Sequence, residues 1–436
     1  MWADEALLYQ IYPLGFCGAP RENDGVLVPR IRKLEGWISH LQRLGVDGLV
    51  LNPVFQSDRH GYDTRDFRVL DCRLGSNEDF RAVSAALHGA GIRLLLDGVF
   101  NHVGRGFWAF QDLLKNREAS PYRDWFHVEF GGSNGYGDGL WYEGWEGHFE
   151  LVKLNLQNPQ VVDYLLDCVK FWAEEFGVDG LRLDVAYCLP QDFLRRLAGF
   201  CRGLSPDFFL YGEILGGDYR RIVAPDLLPS CTNYECFKGL WSSCNDMNLF
   251  EINSSLNRMF SADPYALYRG LRLVSFADNH DVSRLASNLK NPAHLPLVYG
   301  LLLTMPGIPL LYYGSEWGIL GDKRDGDDAL RPCCDAPLWN DLTDRVAALI
   351  AARKKSRALQ RGGYQTVAIT NRQLVFLRED GDQKVLVAVN LDEAPATVNL
   401  GGYALPAKDL MTGKAVALKA QQPLPGYAVE VWGVEG

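Results

Sequence analysis

The amino-acid sequence predicts an α/β protein: a closed (β/α)8 TIM barrel with an inserted subdomain after strand 3 and a C-terminal antiparallel β-sandwich domain. Three observations predict it. Eight short Leu-, Ile- and Val-rich runs alternate with longer amphipathic stretches, the pattern of a parallel sheet with both faces covered. Residues 103–155 interrupt that alternation with a Gly- and aromatic-rich stretch, too long for an ordinary strand-to-helix loop. From about Tyr364 the chain changes to strands without helices, punctuated by Gly and Pro. An open, doubly wound sheet is the competing arrangement of the same alternation.

The elements follow in order. Residues 7–13 (LLYQIYP) read as the first strand. Residues 29–44 place Ile31, Leu34, Ile38, Leu41 and Leu44 at helical spacing. Residues 48–52 form the second strand. Ser76 with Asp79 three residues on marks a helix start, and the helix runs to about His88. Residues 93–100 (RLLLDGVF) are a buried third strand. A helix at 161–176 leads to a strand at 180–185, and a helix at 191–201 leads to one at 208–214. Strands at 231–237, 273–279 and 308–313 complete the eight. In the last domain, strands are expected at 375–378, 384–390, 397–400 and 427–432. The chain thus divides into a barrel of residues 1–102 and 156–358, an insertion of 103–155 walling the cleft, and a C-terminal domain of 359–436.

Composition excludes several classes. The 436 residues are 47% hydrophobic and 22% charged, enough apolar material for a large core and not the makeup of a disordered chain. The net charge of −10 repels phosphate and argues against nucleic acid as a partner. No apolar run spans a bilayer; the richest, residues 298–305, meets Pro306. The N-terminus carries acids where a secretory signal would carry a basic segment. Ten cysteines are scattered without a Cys-x-x-Cys pair, which reads as free thiols in a reducing cytoplasm. Oligomeric state is left open.

Polar residues at the C-terminal ends of barrel strands face the active site of such a fold. The third strand ends in Asp97-Gly-Val-Phe-Asn101-His102, the fourth carries Arg182 and Asp184, the fifth ends in Glu213, and the seventh in Asp278-Asn279-His280-Asp281. Alternation in Leu181-Arg182-Leu183-Asp184 puts Arg182 and Asp184 on one face, and the leucines suit the helix side, so the charged pair should point inward. Singly, each group has an ordinary explanation: a buried ion pair, a loop acid, a helix cap. Jointly, three strand ends would deliver carboxylates into one mouth. Glycosidic cleavage wants that arrangement. Its transition state is oxocarbenium-like, one carboxylate attacks the anomeric carbon, and a second group protonates the leaving oxygen. Arg182 beside Asp184 should keep the attacking carboxylate ionised, and Glu213 is the candidate proton donor.

On these residues the chain resembles the α-amylase superfamily, glycoside hydrolase family thirteen. Asp97–His102 is similar to its first signature, Gly180-Leu-Arg182-Leu-Asp184 to its nucleophile strand, Gly212-Glu213 to its acid/base strand, and Phe276–Asp281 to the strand of its third carboxylate. Gly307-Ile-Pro-Leu-Leu-Tyr-Tyr-Gly314-Ser-Glu316 resembles its last barrel strand. The resemblance implies that Asp184 is the nucleophile, Glu213 the acid/base and Asp281 the transition-state stabiliser, with Arg182 orienting Asp184. It implies that His102 and His280 bond sugar hydroxyls, that Tyr62 (in His60-Gly61-Tyr62-Asp63) is the platform under the sugar, and that Asp327 and Arg331 grip the next glucose. Leu151-Val-Lys153-Leu-Asn155 and the stretch 97–126 resemble the neopullulanase and cyclomaltodextrinase group, whose extra N-terminal β domain, associated with dimerisation, does not precede the first strand here.

Many relatives hold calcium between barrel and subdomain through an Asp and a His. Lys153 and Cys188 stand at those positions, so neither a metal nor another cofactor is expected there. A separate calcium loop around Asn23-Asp24-Gly25 is left open. The resemblance implies a retaining hydrolase cutting α-1,4 and, with Val185 after the nucleophile, also α-1,6 bonds of maltodextrins or related oligosaccharides. A transglycosylase or glucoside isomerase on the same scaffold is the alternative, and a non-catalytic sugar-binding protein a remote one.

Overall fold

The computed structural model describes residues 1–434. The last two positions expected in the C-terminal domain, 435 and 436, lie outside the described residues. The barrel runs β1 (Leu8–Ile11), α1 (Ile38–Leu44), β2 (Gly48–Leu51), α2 (Asn77–Gly89), β3 (Arg93–Gly98), α3 (Pro159–Phe176), β4 (Gly180–Leu183), α4 (Gln191–Leu204) and β5 (Phe209–Gly212). It continues with β6 (Ser230–Cys231), α5 (Tyr234–Asn245), α6 (Phe250–Phe260), β7 (Val274–Ser275), α7 (Leu295–Thr304), β8 (Ile308–Tyr312) and α8 (Asp341–Lys354). The eight parallel strands pair in the order β6-β5-β4-β3-β2-β1-β8-β7. A parallel bridge between Thr232 and Val274 joins the two ends. The closed barrel, not the open sheet, is therefore the architecture.

Strand alternation sorts the core. Leu94, Leu96, Leu181, Leu183 and Leu49 pack outward against the helices. Leu8, Val50, Leu95, Phe209, Tyr211, Val274 and Leu310 fill the inside of the barrel floor. Each such fully buried side chain contributes about 1.5–3 kcal/mol. Helix starts follow local chemistry. Ser76 caps α2 through the Asp79 backbone N–H, and Asp79 returns a bond to Ser76 in a capping box. Asn158 caps α3, with Pro159 at its first position.

Two expected elements differ. The helix expected over 29–44 is a 3-10 segment, Arg30–Trp37, before α1. The strand expected at 231–237 stops at Cys231, and Tyr234–Phe237 opens α5. The Asn233 side chain accepts from the Cys236 N–H; that cap overrides the β-propensity of the aromatic residues.

Between β3 and α3 the chain makes a three-stranded antiparallel sheet, His102–Gly104, His148–Lys153 and Gly144–Trp145, and a pair, Val128–Phe130 with Leu140–Tyr142. The C-terminal region forms β9 (Gln365–Ile369), β10 (Gln373–Asp380), β11 (Gln383–Asn390), β12 (Ala396–Asn399), β13 (Pro406–Asp409), β14 (Ala415–Ala417), β15 (Gln421–Leu424) and β16 (Ala428–Val434). Six pair antiparallel as β9-β10-β11-β16-β13-β14, and β12 pairs with β15. Leu374 and Phe376 join the barrel-side core, while Val375 and Leu377 face the second sheet with Val398 and Leu424. At the junction, buried Arg353 and Arg378 donate to the ends of α7 and its neighbours, the carbonyls of Leu303, Thr304, Gly362 and Gly363 among them.

Candidate active site

Strand register brings the charged groups to one level. Arg182 is paired with Asp97 on β3 and Tyr211 on β5, and Leu183 is paired with Gly212. Asp184 and Glu213 therefore follow matched residues on adjacent strands, which run about 4.8 Å apart. The Arg182 guanidinium, 4% exposed, points inward. It donates from NH1 to Asp97 Oδ2 at 2.6 Å and Asp184 Oδ1 at 3.0 Å, and from NH2 to Glu213 Oε1 at 2.8 Å. Immediately after Asp184 the backbone turns left-handed at Val185, φ 40°, and the Val185 N–H meets Glu213 Oε2 at 3.2 Å.

The opposite wall comes from the first two strands and the seventh. The Tyr62 ring stacks on His280, with centroids 5.8 Å apart and planes within 9°. Its hydroxyl lies 2.5 Å from His280 Nε2 and donates to Asp97 Oδ2 at 3.1 Å. Asn52 joins Asp97 and Tyr62, and Gln10 reaches His280 Nδ1 at 3.1 Å. Asp281 receives His280 Nε2 at 2.9 Å on one oxygen and Arg331 NH2 at 2.9 Å on the other. His102 Nε2 stands 3.9 Å from Asp184 Oδ2 and, among the described residues, is buried without a hydrogen-bond partner. A substrate hydroxyl would satisfy it.

The electrostatics are those of crowded acids around two guanidiniums. Burial pushes Asp184 well above the ordinary carboxylate range; Arg182 pulls it down, and Asp97, Glu213 and Asp281 push it up. Arg182 lowers Asp184, as the sequence implies, while lost solvent and three neighbouring acids act against that pull. Burial likewise raises Asp97 against Arg182, Asn52 and Tyr62. Asp281 goes the other way: burial works to raise it, but His280 and Arg331 prevail and hold it far below its ordinary value. Burial pushes His102 down to about 3 and lowers His280, so both imidazoles are neutral at pH 7.

These groups surround a cavity of about 440 Å³. Tyr62, His102, Asp184, Glu213, Asp281, Asp327 and Arg331 line it, while Arg182 and His280 stand buried behind the lining. All nine residues singled out in the sequence therefore converge. Arg331 is already engaged: it bonds the His280 carbonyl and Asp281, approaches Asp327 at 3.5 Å, and covers the Tyr12 ring at 4.5 Å. Asp327 is also ion-paired to Lys323. Sequence reasoning missed Gln10, Asn52, Tyr187, Tyr234 and Lys323. Asn52 does follow an apolar strand, the signal used for the acids, and Gln10 lies within one, but amides there attract less notice.

The site for calcium does not fit a cation. The Lys153 ammonium is ion-paired to Glu143, and the Asn101 amide nitrogen is turned to His102. In the 23–25 loop, Asn23 Oδ1 is occupied by the Gly25 N–H and the Cys72 thiol.

Comparison with known proteins agrees with this geometry. The family model described as alpha amylase, catalytic domain, matches residues 10–358. A cyclomaltodextrinase of Geobacillus thermopakistaniensis (strain MAS1) is 31% identical over 469 aligned positions, covering 100% of this chain and 78% of that protein. Neopullulanase 2 of Thermoactinomyces vulgaris is 32% identical over 420, covering 89% and 70%. Among solved structures, the ligand-free cyclic α-maltosyl-(1→6)-maltose hydrolase from Arthrobacter globiformis superposes with a TM-score of 0.85 at 26% identity, covering 99% of both chains.

Proposed function

The chain belongs to the α-amylase family, and from that membership we propose that it is a retaining α-glucan hydrolase acting on α-1,4 and α-1,6 bonds of maltodextrins and related oligosaccharides. The observation that carries this reading is the single guanidinium of Arg182 joining Asp184 and Glu213 at one level of the barrel mouth. Retaining enzymes hold their two carboxyl groups about 5–5.5 Å apart, and a single guanidinium bonding both keeps these two close.

The mechanism requires a proton on the acid, Glu213, and an ionised nucleophile, Asp184, which Arg182 faces. Glu213 gives its proton to the glycosidic oxygen as that bond breaks, and Asp184 attacks the anomeric carbon to form a glycosyl ester. The Glu213 carboxylate then takes a proton from water, whose oxygen displaces Asp184 with net retention. Asp281 and Asp184 face the positive charge that develops on the sugar. Tyr62 supplies a flat apolar face beneath it, and the unpartnered His102 Nε2 a hydrogen bond to a hydroxyl. The fit of Lys153 and Asn101 supports a mechanism without calcium at the subdomain junction. The ten cysteines, all free, support a reducing, cytoplasmic location.

Digestion of maltose, maltotriose, isomaltose, pullulan, cyclodextrin and starch, with products resolved by size and anomer, tests the reading. Hydrolysis products appearing first as α-anomers support it; β-anomers, or no turnover of any substrate, overturn it. Products longer than the substrate would mark a transferase.

A further inference from the structure

We propose that Arg73 is a positioning residue for the reaction: its buried guanidinium ties the loop after β2, residues 57–63, to the loop after β1, residues 19–21, and so fixes where the Tyr62 ring meets the sugar. The proposal rests on the reading of the pocket as a site of α-glucan hydrolysis, with Tyr62 as the face beneath the sugar. Arg73 does not line that cavity, so it acts through the residues it holds.

Each nitrogen of the guanidinium is engaged. Nε donates to Asp71 Oδ1 at 2.8 Å and NH2 to Asp71 Oδ2 at 2.7 Å, a two-pronged pair between fully buried side chains. NH2 also donates to Ser57 Oγ at 2.8 Å. NH1 donates to the carbonyls of Pro20, Arg21 and Arg59 at 3.0, 2.8 and 2.7 Å. Asp71 grips the same loop, receiving the Ser57 N–H at 3.2 Å and the Ser57 hydroxyl at 2.8 Å.

The Tyr62 segment depends on such partners. Residues 58–63 are the loop of a hairpin between Phe55–Ser57 and Thr64–Leu70, and side chains hold its backbone. Arg73 takes the Arg59 carbonyl, and Tyr12 donates its hydroxyl to the His60 carbonyl at 2.7 Å. Asp63 Oδ1 receives the N–H groups of His60 and Gly61 at 3.1 and 3.2 Å. Gly61 is left-handed, φ 90°, and a Cβ there would sit 2.9 Å from the Pro53 Cβ. Tyr62 comes next, and its N–H meets His60 Nδ1 at 3.3 Å.

Stability alone is a poor reason to bury this ion pair, because desolvation offsets its attraction. What the pair supplies is a fixed place for three carbonyls and a hydroxyl. A planar fork of five N–H donors can serve them all while still pairing with Asp71; an ammonium, with three, cannot. Reaction rate is sensitive to such placement, because a small displacement of a contacting group is enough to lose it.

Arg73→Lys tests the role, since it keeps the charge beside Asp71 and gives up the fork. It should still unfold cooperatively, while its kcat/KM for maltotriose falls about three- to tenfold, no further than Tyr62→Ala takes it. A double-mutant cycle separates positioning from general damage. In a Tyr62→Ala background, Arg73→Lys should change kcat/KM by less than about twofold, because the residue it places is gone. In a His102→Gln background, outside both clamped loops, the losses should multiply. An Arg73→Lys protein with parent kcat/KM, or one with the same proportional loss with and without Tyr62, overturns the clamp. If Arg73→Lys does not fold, Ser57→Ala, which removes one anchor of both Arg73 and Asp71, goes through the same cycle under the same criteria. A parent protein inert on maltotriose and the wider substrate panel overturns the hydrolase reading, and the role of Arg73 with it. An active parent confines any failure to the clamp.

Discussion

The backbone N–H of Val185 donates to Oε2 of Glu213, so the residue after Asp184 positions the carboxyl that follows the neighbouring strand. With Arg182 on the other oxygen, Glu213 is held from both sides. Val185 does this from a left-handed conformation, which costs a β-branched residue about 1–3 kcal/mol. Strain at this point is compensated by the surrounding burial and places the proton donor.

Glu213→Gln keeps the size but cannot transfer a proton. General acid catalysis contributes about 10²–10⁴-fold, so kcat on maltotriose should fall by that factor. An α-glucosyl fluoride, whose leaving group needs no proton, should lose far less in the first step. Equal losses on both substrates in the pre-steady-state rate of the first step would contradict the assignment.

Arg182→Met leaves Asp97, Asp184 and Glu213 without their shared cation. Breaking such a buried pair costs about 3–5 kcal/mol, readable as a lowered denaturation midpoint. Asp184 is already raised by burial, so the acidic limb of kcat/KM should lie above the ordinary Asp value of about 3.9. Removing the Arg182 pull should move that limb to still higher pH. A limb that stays in place would separate Arg182 from the titration of the nucleophile.

Tyr62 offers a ring and a hydroxyl, and the two are separable. Tyr62→Ala should remove about 0.5–1.5 kcal/mol of sugar contact and lower kcat/KM by up to about tenfold. Tyr62→Phe keeps the stacked ring and loses only the hydroxyl with its bonds to Asp97, His280 and Asn52, so its loss should be smaller. The comparison of kcat/KM for the two variants checks which part acts.

His102 makes stability depend on acid. Its folded-state value, about 3, is below the ordinary 6.5, so the unfolded chain binds the proton more readily. Its neutral form is fully compatible with folding above pH 6.5, and stability is lost as pH falls from 6.5 toward 3. The slope from this group alone approaches about 1.4 kcal/mol per pH unit. Denaturant unfolding at pH 6.5 and 5.5 should show the parent protein losing about 1 kcal/mol more than His102→Gln; parallel losses would rule out this contribution.

The barrel and its acids were legible because both are local signals. Apolar runs mark strands, and Asp97, Arg182, Glu213 and Asp281 interrupt or end such runs. The short 3-10 start before α1 and the α5 start at Tyr234 were not legible from spacing. In the second case a single cap, Asn233, decided against a β-like sequence. The balance of charge at Asp184 was also out of reach, because Arg182 is a sequence neighbour while the acids that oppose it come from β3, β5 and the end of β7. The same holds for Arg73, which clamps residues 20, 21 and 59 through the fold alone.

The central claim is that Asp184 forms a covalent glycosyl ester. A 5-fluoroglycosyl fluoride slows both chemical steps and, with its activated leaving group, lets the ester accumulate. Peptide mapping by mass spectrometry after incubation should find one added sugar per chain, on Asp184, and none on an Asp184→Asn protein. A sugar attached to another residue, or turnover of the reagent with inversion and no attached sugar, would contradict it.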